Sequence, residues 1–177
     1  MADNFTFSNS SASANTLITL NNQYSGIVYA TAVTTITGTA AEISTVYSSS
    51  GISGLGNESL TITDALTLAQ LKIISNATSG TITLNDYTVA LAGTSSDLAA
   101  ALAGNFSSSY TGTVTITNAD YTVAQLKAIN NATSGTITLD HYTVALAGTS
   151  SDLTAALAGN FSSSYTGTVT ITNADYT

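Results

Sequence analysis

The sequence predicts an α/β protein, a repeat solenoid of stacked strand-helix coils with a parallel sheet and a short β-rich N-terminal cap. The main observation is a repeat: residues 87–122 recur 55 positions later as residues 142–177, with one difference in 36 positions, Ala99 against Thr154. Each unit also contains Thr-led helix starts and alternating strands. A fixed period of this size is typical of arrays whose units bury their apolar faces against their neighbours.

The repeat divides the chain into two parts. Residues 1–25 do not fit the period, and alternation in residues 4–7 and 16–20 predicts strands, so we expect an N-terminal β cap or assembly segment there. The remaining residues 26–177 form the predicted solenoid of 55-residue repeats, with approximate units 26–79, 80–134 and a partial unit 135–177.

The predicted helices begin at capping boxes, in which a Thr hydroxyl accepts a backbone N–H of the first turn and the residue three positions later reaches back. Asp is a poorer partner than Glu or Gln in this exchange because its side chain is shorter. Gly104 and Gly159 suit the left-handed position that often follows a helix. The predicted starts are Thr67-Leu-Ala-Gln70, Thr122-Val-Ala-Gln125, Thr39-Ala-Ala-Glu42, Thr94-Ser-Ser-Asp97 and Thr149-Ser-Ser-Asp152.

The predicted strands alternate Thr with aliphatic residues, because side chains along a strand point in turn to its two faces. The aliphatic face, with Ile137 and Leu139 as examples, is expected to form a core with leucines of the helices. The glycine spacing, 23 positions from Gly112 to Gly135 and 32 from Gly135 to Gly167, predicts coils that alternate between a short and a long form. Strands are predicted at residues 61–63, 81–84, 87–91, 113–117, 136–139, 142–146 and 168–172.

The composition excludes several classes of function. The chain has 2 Lys and Arg against 10 Asp and Glu, so it lacks the cations that phosphate binding needs, and nucleic acid is not an expected partner. No apolar run approaches the ~20 residues needed to cross a bilayer, so membrane insertion is not expected either. It has no Cys and one His, His141, whose counterpart in the preceding copy is Asp86. We therefore expect no enzyme activity, no cofactor and no transition-metal site, since one imidazole without clustered partners makes none.

Calcium is the one metal that the acidic residues suggest. Asp120 and Asp175 recur in the sequence Asn-Ala-Asp-Tyr at a predicted coil edge. Calcium takes about six to eight oxygen ligands, and these carboxylates are isolated in the sequence. Asp120 and Asp175 are therefore weak calcium candidates, with Asn118 or backbone oxygens as the other ligands.

Two repeated side-chain types suggest ligand binding as an alternative. The Thr-x-Thr strands would present regular rows of hydroxyls, which can bind ice, and recurring tyrosines such as Tyr110 and Tyr165 could stack on a glycan. The competing interpretation is that Thr is a strong strand former on an accessible face and that Tyr packs between coils. Regular Thr spacing on an exposed flat face would favour binding, whereas a sheet covered by helices would count against it.

Self-association is predicted from the ends of the array. A coil buries its apolar face only when another coil covers it, and unpaired strand edges can template another chain. We expect head-to-tail stacking, in which the N-terminal strands of one molecule cover the C-terminal coil of the next. Thr177 lies where another helix is expected, so the chain is also expected to be a piece of a longer array. The predicted assembly residues are Phe5, Phe7, Leu17, Ile18, Phe161, Val169 and Ile171.

Three segments carry a resemblance to a class of large proteins. Gly38-Thr-Ala-Ala-Glu-Ile43, Ser50-Gly-Ile-Ser-Gly-Leu-Gly-Asn57 and Leu60-Thr-Ile-Thr-Asp64 resemble repeat units of very large secreted and cell-surface proteins of marine bacteria and cyanobacteria. The resemblance extends over residues 26–177. It implies an extracellular or cell-surface location, export by type I secretion and a role as adhesin, surface layer or filament, and it implies no catalytic residue.

These observations predict a non-enzymatic structural protein of a bacterial surface, a stiff and acidic rod or filament. The absence of Pro fits continuous strand ladders, because Pro cannot donate a ladder hydrogen bond. The alternatives are a solenoid that binds ice or a surface glycan, and a phage fibre.

Overall fold

A computed structural model of the chain describes residues 2–172. Within this range the strands form small, separate sheets of two to four strands, and all their pairings are parallel. Six helices lie between the strands of the same range. The predicted α/β class and the predicted parallel pairing are therefore confirmed.

All five predicted Thr caps are confirmed, because each Thr hydroxyl accepts the backbone N–H of the residue three positions later. Thr39, Thr67 and Thr122 form complete capping boxes with Glu or Gln. The shorter Asp partners of Thr94 and Thr149 accept a hydrogen bond from the Thr hydroxyl instead, at 2.9 Å. The helices are α1 (Ala14–Gln23), α2 (Ala40–Ser48), α3 (Leu68–Ala77), α4 (Ser95–Ala101), α5 (Val123–Ala132) and α6 (Ser150–Leu157).

Helix α1 shows that the predicted strand at residues 16–20 is wrong. The predicted strand at residues 4–7 is found at Phe5–Thr6, so the N-terminal segment contains strands and a helix rather than strands alone. The Ser13 hydroxyl accepts the backbone N–H of Thr16 at 3.0 Å and starts a helix there. Ala14 and Leu17 are buried three positions apart, on one helix face. The β-branched residues of this segment favoured a strand, but the burial of these two side chains and the Ser cap stabilise the helix.

The chain divides into two compact units, which are described separately. The first extends to Asp86 and includes Gly104–Ser108, and the second comprises Tyr87–Ala103 and the residues from Ser109 onward. The strands of the first unit are β1 (Phe5–Thr6), β2 (Ser11–Ser13), β3 (Val28–Tyr29), β4 (Thr35–Gly38), β5 (Ile52–Ser53), β6 (Ser59–Ile62) and β7 (Ile82–Thr83). Those of the second are β8 (Leu91–Gly93), β9 (Val114–Ile116), β10 (Ile137–Leu139), β11 (Leu146–Gly148) and β12 (Val169–Ile171).

In the first unit, paired strands are separated by a nearly constant number of residues along the chain. The larger sheet has the order β2-β4-β6-β7 and the smaller one the order β1-β3-β5. Ala12, Ile36, Leu60 and Ile82 are register partners along the larger sheet, and a parallel bridge continues from Ile82 to Phe106. The four register partners in the named strands are buried. We call the separation of such partners the pairing step.

The second unit keeps the same pairing step. Val114 pairs with Ile137, a bridge leads from Ile137 to Phe161, and Leu146 pairs with Val169. The predicted alternation between short and long coils is therefore wrong. The longer spacing, from Gly135 to Gly167, is the sum of one pairing step and the interval that separates Ile137 from Leu146.

The predicted strands at residues 87–91 and 142–146 are also displaced, because β8 and β11 begin only at the last residue of each segment. The carbonyl of Tyr87 accepts the backbone N–H groups of Thr111 and Gly112, and the carbonyl of Val89 accepts the hydroxyl of Tyr110. These carbonyls are thus occupied by a neighbouring loop and a side chain rather than by a regular strand ladder.

The core residues agree with the prediction, whereas the helix-ending glycines do not. Ile137 and Leu139 are buried, together with Leu126 of α5. Gly104 and Gly159 were expected in the left-handed conformation, but positive φ angles within residues 2–172 occur only at two other glycines, Gly54 and Gly56. Close approach explains Gly104, because a Cβ at that position would lie 2.8 Å from the hydroxyl of Ser75.

Candidate functional site

The first unit presents two rows of polar side chains on the outward side of sheet β2-β4-β6-β7. These residues alternate along each strand with the buried partners around Ile36 and Leu60, so the pleat directs them away from the core. We call the two rows the hydroxyl face. Its first row is Ser11, Thr35, Ser59, Thr81 and Asn105, and its second row is Ser13, Thr37, Thr61, Thr83 and Ser107.

The hydroxyl face is open to solvent. Nine of its ten side chains are exposed, and Thr81 is half-buried. Thr83 donates a hydrogen bond to Ser107 at 3.0 Å, and Ser13 is occupied as the cap of α1. In residues 2–172, no side-chain hydrogen bond is made by the four central members Thr35, Thr37, Ser59 and Thr61.

The second unit repeats the pattern over two pairing steps. Thr113, Thr136 and Asn160 form one row beside Val114 and its partners, and the Asn160 amide donates to the Thr136 hydroxyl at 3.2 Å. The neighbouring row contains Thr138, which donates to Ser162 at 3.0 Å. This second array is less open, because Thr136 and Thr138 are half-buried.

The tyrosines serve in packing within the second unit. Tyr110 and Tyr121 are buried, and their hydroxyls donate to the carbonyls of Val89 and His141 respectively. Tyr165 donates in the same way to the carbonyl of Val144. Burial raises the pKa of Tyr121 and of Tyr165 above the ordinary value, and in Tyr121 a hydrogen bond with Tyr165 raises it further. Buried rings such as Tyr110 offer no surface on which a sugar could stack.

Glu58 is the most deeply buried charged residue of the described range, and sequence reasoning missed it. Its side chain is fully buried, and its carboxylate accepts the Tyr47 hydroxyl at 2.8 Å and the backbone N–H of Gly56 at 2.8 and 2.9 Å. Burial, followed by the hydrogen bond to Glu58, raises the pKa of Tyr47 well above its usual range. The only sequence signal is that Glu58 stands where the 55-residue step places Thr113, at the start of an alternating strand. This carboxylate holds the turn that contains Gly54 and Gly56.

The helix-capping role of two further polar residues was missed, because it depends on contacts between segments far apart in the sequence. Asp64 accepts the backbone N–H of Ala40 at 2.7 Å, and Asn118 accepts that of Ser95, also at 2.7 Å. Ala40 and Ser95 are the first residues of α2 and α4, so an oxygen that follows the neighbouring parallel strand completes the cap of each helix.

The calcium candidate Asp120 lies beside Asn118, but the two do not turn their oxygens toward a common point. The Asn118 oxygen is occupied by the backbone N–H of Ser95, and the Asn118 amide donates to Asp120 at 2.5 Å. Within residues 2–172, His, Cys, Asp and Glu side chains form no group of three that could hold a metal ion. Asp175 lies outside the described residues.

The remaining predicted residues are distributed over the surface and the core. His141 is exposed. Leu17 is fully buried, so it belongs to the interior of its own unit and offers no contact surface for another chain. Val169 and Ile171 are 42% and 40% exposed. Phe5, Phe7, Ile18 and Phe161 are half-buried.

An ion pair in the second unit joins Lys127 to Asp152, with 2.8 Å between Nζ and Oδ1. Hydrogen bonds from Lys127 and then Thr149 hold the pKa of the Asp152 carboxyl below its usual range. Both side chains are about two-fifths exposed, at 39% and 44%, so the pair joins α5 to α6 at the surface.

None of the helices in residues 2–172 combines the length and the apolar character that a bilayer crossing requires. Comparisons with protein-family models, with curated proteins and with solved structures return no match for the chain.

Proposed function

We propose that the chain is a non-enzymatic structural protein, an α/β solenoid of stacked strand-helix coils that forms a rod or filament at a bacterial surface. The observation that supports this most directly is the pairing step. It is 24 positions from Ile36 to Leu60, 22 from Leu60 to Ile82 and 23 from Val114 to Ile137, and most steps contain one helix. Repeated parallel return at a nearly constant step is what a wound chain of stacked coils produces.

Contacts between successive helices support the same proposal. In the first unit α1 packs on α2 and α2 on α3, and in the second unit α4 packs on α5 and α5 on α6. The caps supplied by Asp64 and Asn118 and the ion pair of Lys127 with Asp152 join groups that are one coil apart, 23 to 25 positions along the chain. A structural role would explain why the buried polar groups serve packing rather than a reactive cleft.

The surface location rests on composition and on the resemblance to very large secreted bacterial proteins. The chain has a net charge of −8, a pI near 4.1 and no Cys. Acidic, cysteine-free repeats suit an extracellular rod, because net charge keeps such a surface soluble. Export by type I secretion, an adhesin or surface-layer role and the absence of a catalytic or cofactor site remain predictions.

The test is to lengthen the array by one unit. A second copy of residues 87–141 is inserted after residue 141, and the length of the particle is measured by small-angle X-ray scattering and electron microscopy. Two more stacked strand layers should lengthen the particle by about 10 Å without widening it, since neighbouring strands are about 4.8 Å apart. An insert with the same composition and length but a shuffled order is the control.

An increase in all dimensions, or loss of cooperative unfolding on insertion of the true repeat, would count against a solenoid. The shuffled insert should produce such a result, because it cannot continue the pairing step. Measurements on both proteins at the same concentration separate the two outcomes.

We also propose that copies of the chain stack head to tail. The support is a comparison of two identical strands: Val114 and Ile116 are fully buried beside β10, whereas Val169 and Ile171 are 42% and 40% exposed. A coil of the same kind placed over β12 would bury them, and β1, which contains Phe5 and is followed by Phe7, is the strand expected to approach.

Light scattering tests this contact. Val169→Asp should reduce the mass of any assembly, because a carboxylate would be buried in the contact. Ile73→Asp is the matched control, because Ile73 is 41% exposed but lies on α3 rather than on β12. A monomer at high concentration for the unaltered chain would refute the stacking proposal.

A further inference from the structure

We propose that the hydroxyl face of the first unit is a binding surface for crystalline ice. The inference goes beyond the structural role, and it depends only on the strand registers of the first unit. The rod proposal can therefore fail while ice binding stands, and ice binding can fail while the rod proposal stands.

The geometry of the face is that of a two-dimensional lattice. Strand neighbours such as Thr37 and Thr61 are register partners, and the pairing runs from β2 through β7 without a slip. Neighbouring strands are about 4.8 Å apart, and alternate residues along a strand, such as Thr35 and Thr37, are about 6.7 Å apart. A surface with two fixed repeats fits a ligand that itself repeats in two directions.

The chemistry of the face suits neutral water rather than an ion. Each Thr presents one hydroxyl, which both donates and accepts, beside one methyl group. The face contains no charged side chain, although the chain carries 10 Asp and Glu. The hydroxyls of Thr35, Thr37, Ser59 and Thr61 make no hydrogen bond within the described residues, so all four are available to an external lattice.

The residue types on the face favour ice over a polysaccharide. Sugar rings are commonly held by stacking on aromatic side chains, and neither row contains one. The exposed Tyr29 belongs to the other sheet of the first unit, β1-β3-β5. The alternating pleat places all members of both rows on one side of a sheet. Discrete small ligands are usually bound in concave pockets instead, so a face of this kind is better suited to an extended surface.

The strand backbone that carries these rows is held in place by the core beneath it. Ile36, Leu60 and Ile82 are buried directly between the two rows, which ties the backbone of each strand to the core. At the far edge the Thr83 hydroxyl bonds to Ser107. A lattice that is rigid before binding loses less conformational entropy when it meets a rigid ligand.

The experiment measures partition of the purified full chain into slowly growing ice, together with the gap between melting and freezing temperatures. The unaltered chain should be enriched in the ice fraction and should open such a gap. Thr61→Lys places a long cation in the middle of the second row, and it should reduce both signals to those of a non-binding protein. Thr37→Lys provides a second test in the same row.

The matched control is Thr45→Lys, because Thr45 is an exposed threonine on α2 rather than on the hydroxyl face. It adds the same charge and should leave ice binding unchanged. Circular dichroism should show that all three variants remain folded, since each changes an exposed side chain.

Three results would overturn the proposal. The first is that the unaltered chain stays in the liquid fraction, and the second is that Thr45→Lys reduces partition as strongly as Thr61→Lys. The third is that the chain binds insoluble cellulose or chitin, loses that binding in Thr61→Lys, and has no effect on ice. That third result would assign the same face to a polysaccharide.

Discussion

Single buried polar side chains are expected to contribute to the stability of the first unit, and Glu58 is the clearest case. Glu58→Ala would leave the Tyr47 hydroxyl and the Gly56 N–H without their acceptor. Since an unsatisfied buried group costs about 1 to 3 kcal/mol, we expect a loss of that order in the free energy of unfolding. Glu58→Gln keeps one acceptor oxygen and should lose less. Urea denaturation measures both, and equal losses in the two variants would contradict this role.

The buried tyrosines make stability depend on pH in the alkaline range. The pKa values of Tyr47, Tyr121 and Tyr165 are raised above the ordinary value of 10.0, chiefly by burial. The unfolded chain therefore releases these protons first. The free energy of unfolding should be unaffected by these groups below pH 10 and should fall as the pH rises above it.

Absorbance at the wavelength of tyrosinate measures this directly. The chain has 9 tyrosines, and a subset should titrate only when the protein unfolds, with a coincident change in circular dichroism. Titration of all tyrosines near their ordinary pKa, with the fold intact, would contradict the burial of these three rings.

Close packing of neighbouring strands leaves no room for a side chain at some glycines. Gly135 and Gly148 differ in this respect. A Cβ on Gly135, just before β10, would lie 2.1 Å from the carbonyl oxygen of Gly112, whereas the nearest atom to a Cβ on Gly148 is 3.6 Å away. Gly135→Ala should therefore force the two backbone segments at Gly112 and Gly135 apart and cost about 1 to 3 kcal/mol or more. Gly148→Ala should be neutral, or stabilising by about 0.4 to 1 kcal/mol, because it restricts the unfolded chain.

Thermal unfolding of the two alanine variants gives the comparison. Neither glycine has a positive φ angle, so backbone strain does not confuse the result. If Gly148→Ala is as damaging as Gly135→Ala, the difference in packing between the two positions is refuted.

The elements also show why local patterns were informative for some segments and misleading for others. The Thr-led starts predicted five helices, because a cap depends on residues three apart in the sequence. Residues 16–20 were expected as a strand, since their β-branched side chains favour strands. They are helical because Ser13 caps them and Leu17 is buried on the inner side of α1.

The charge of the whole molecule should affect the proposed head-to-tail association of copies. With a net charge of −8 at pH 7, copies repel one another at low ionic strength. Added salt screens that repulsion, since the Debye length falls from about 30 Å at 0.01 M to about 10 Å at 0.1 M. The assembly mass should therefore rise with sodium chloride. Light scattering checks this, and a mass that falls with salt would indicate that the contact is electrostatic rather than apolar.

The sequence by itself determined the α/β class, the five Thr-led helix starts, the exposed Thr rows and the aliphatic core positions. These properties follow from short periods, because capping and strand alternation join residues a few positions apart. It did not reveal the nearly constant pairing step, since the interval between Ile137 and Leu146 makes the glycine spacing irregular.

Only the tertiary structure decided which polar groups are buried and what they bind. The roles of Glu58, Asp64 and Asn118 depend on atoms that are brought together from 11 to 24 positions away, apart from the bond between Glu58 and Gly56. No local pattern encodes such a contact, because the partner is set by which distant segment of the chain packs beside it. The same reason explains the hydroxyl face: alternation predicts each Thr-x-Thr strand, but parallel pairing in register converts separate strands into a lattice.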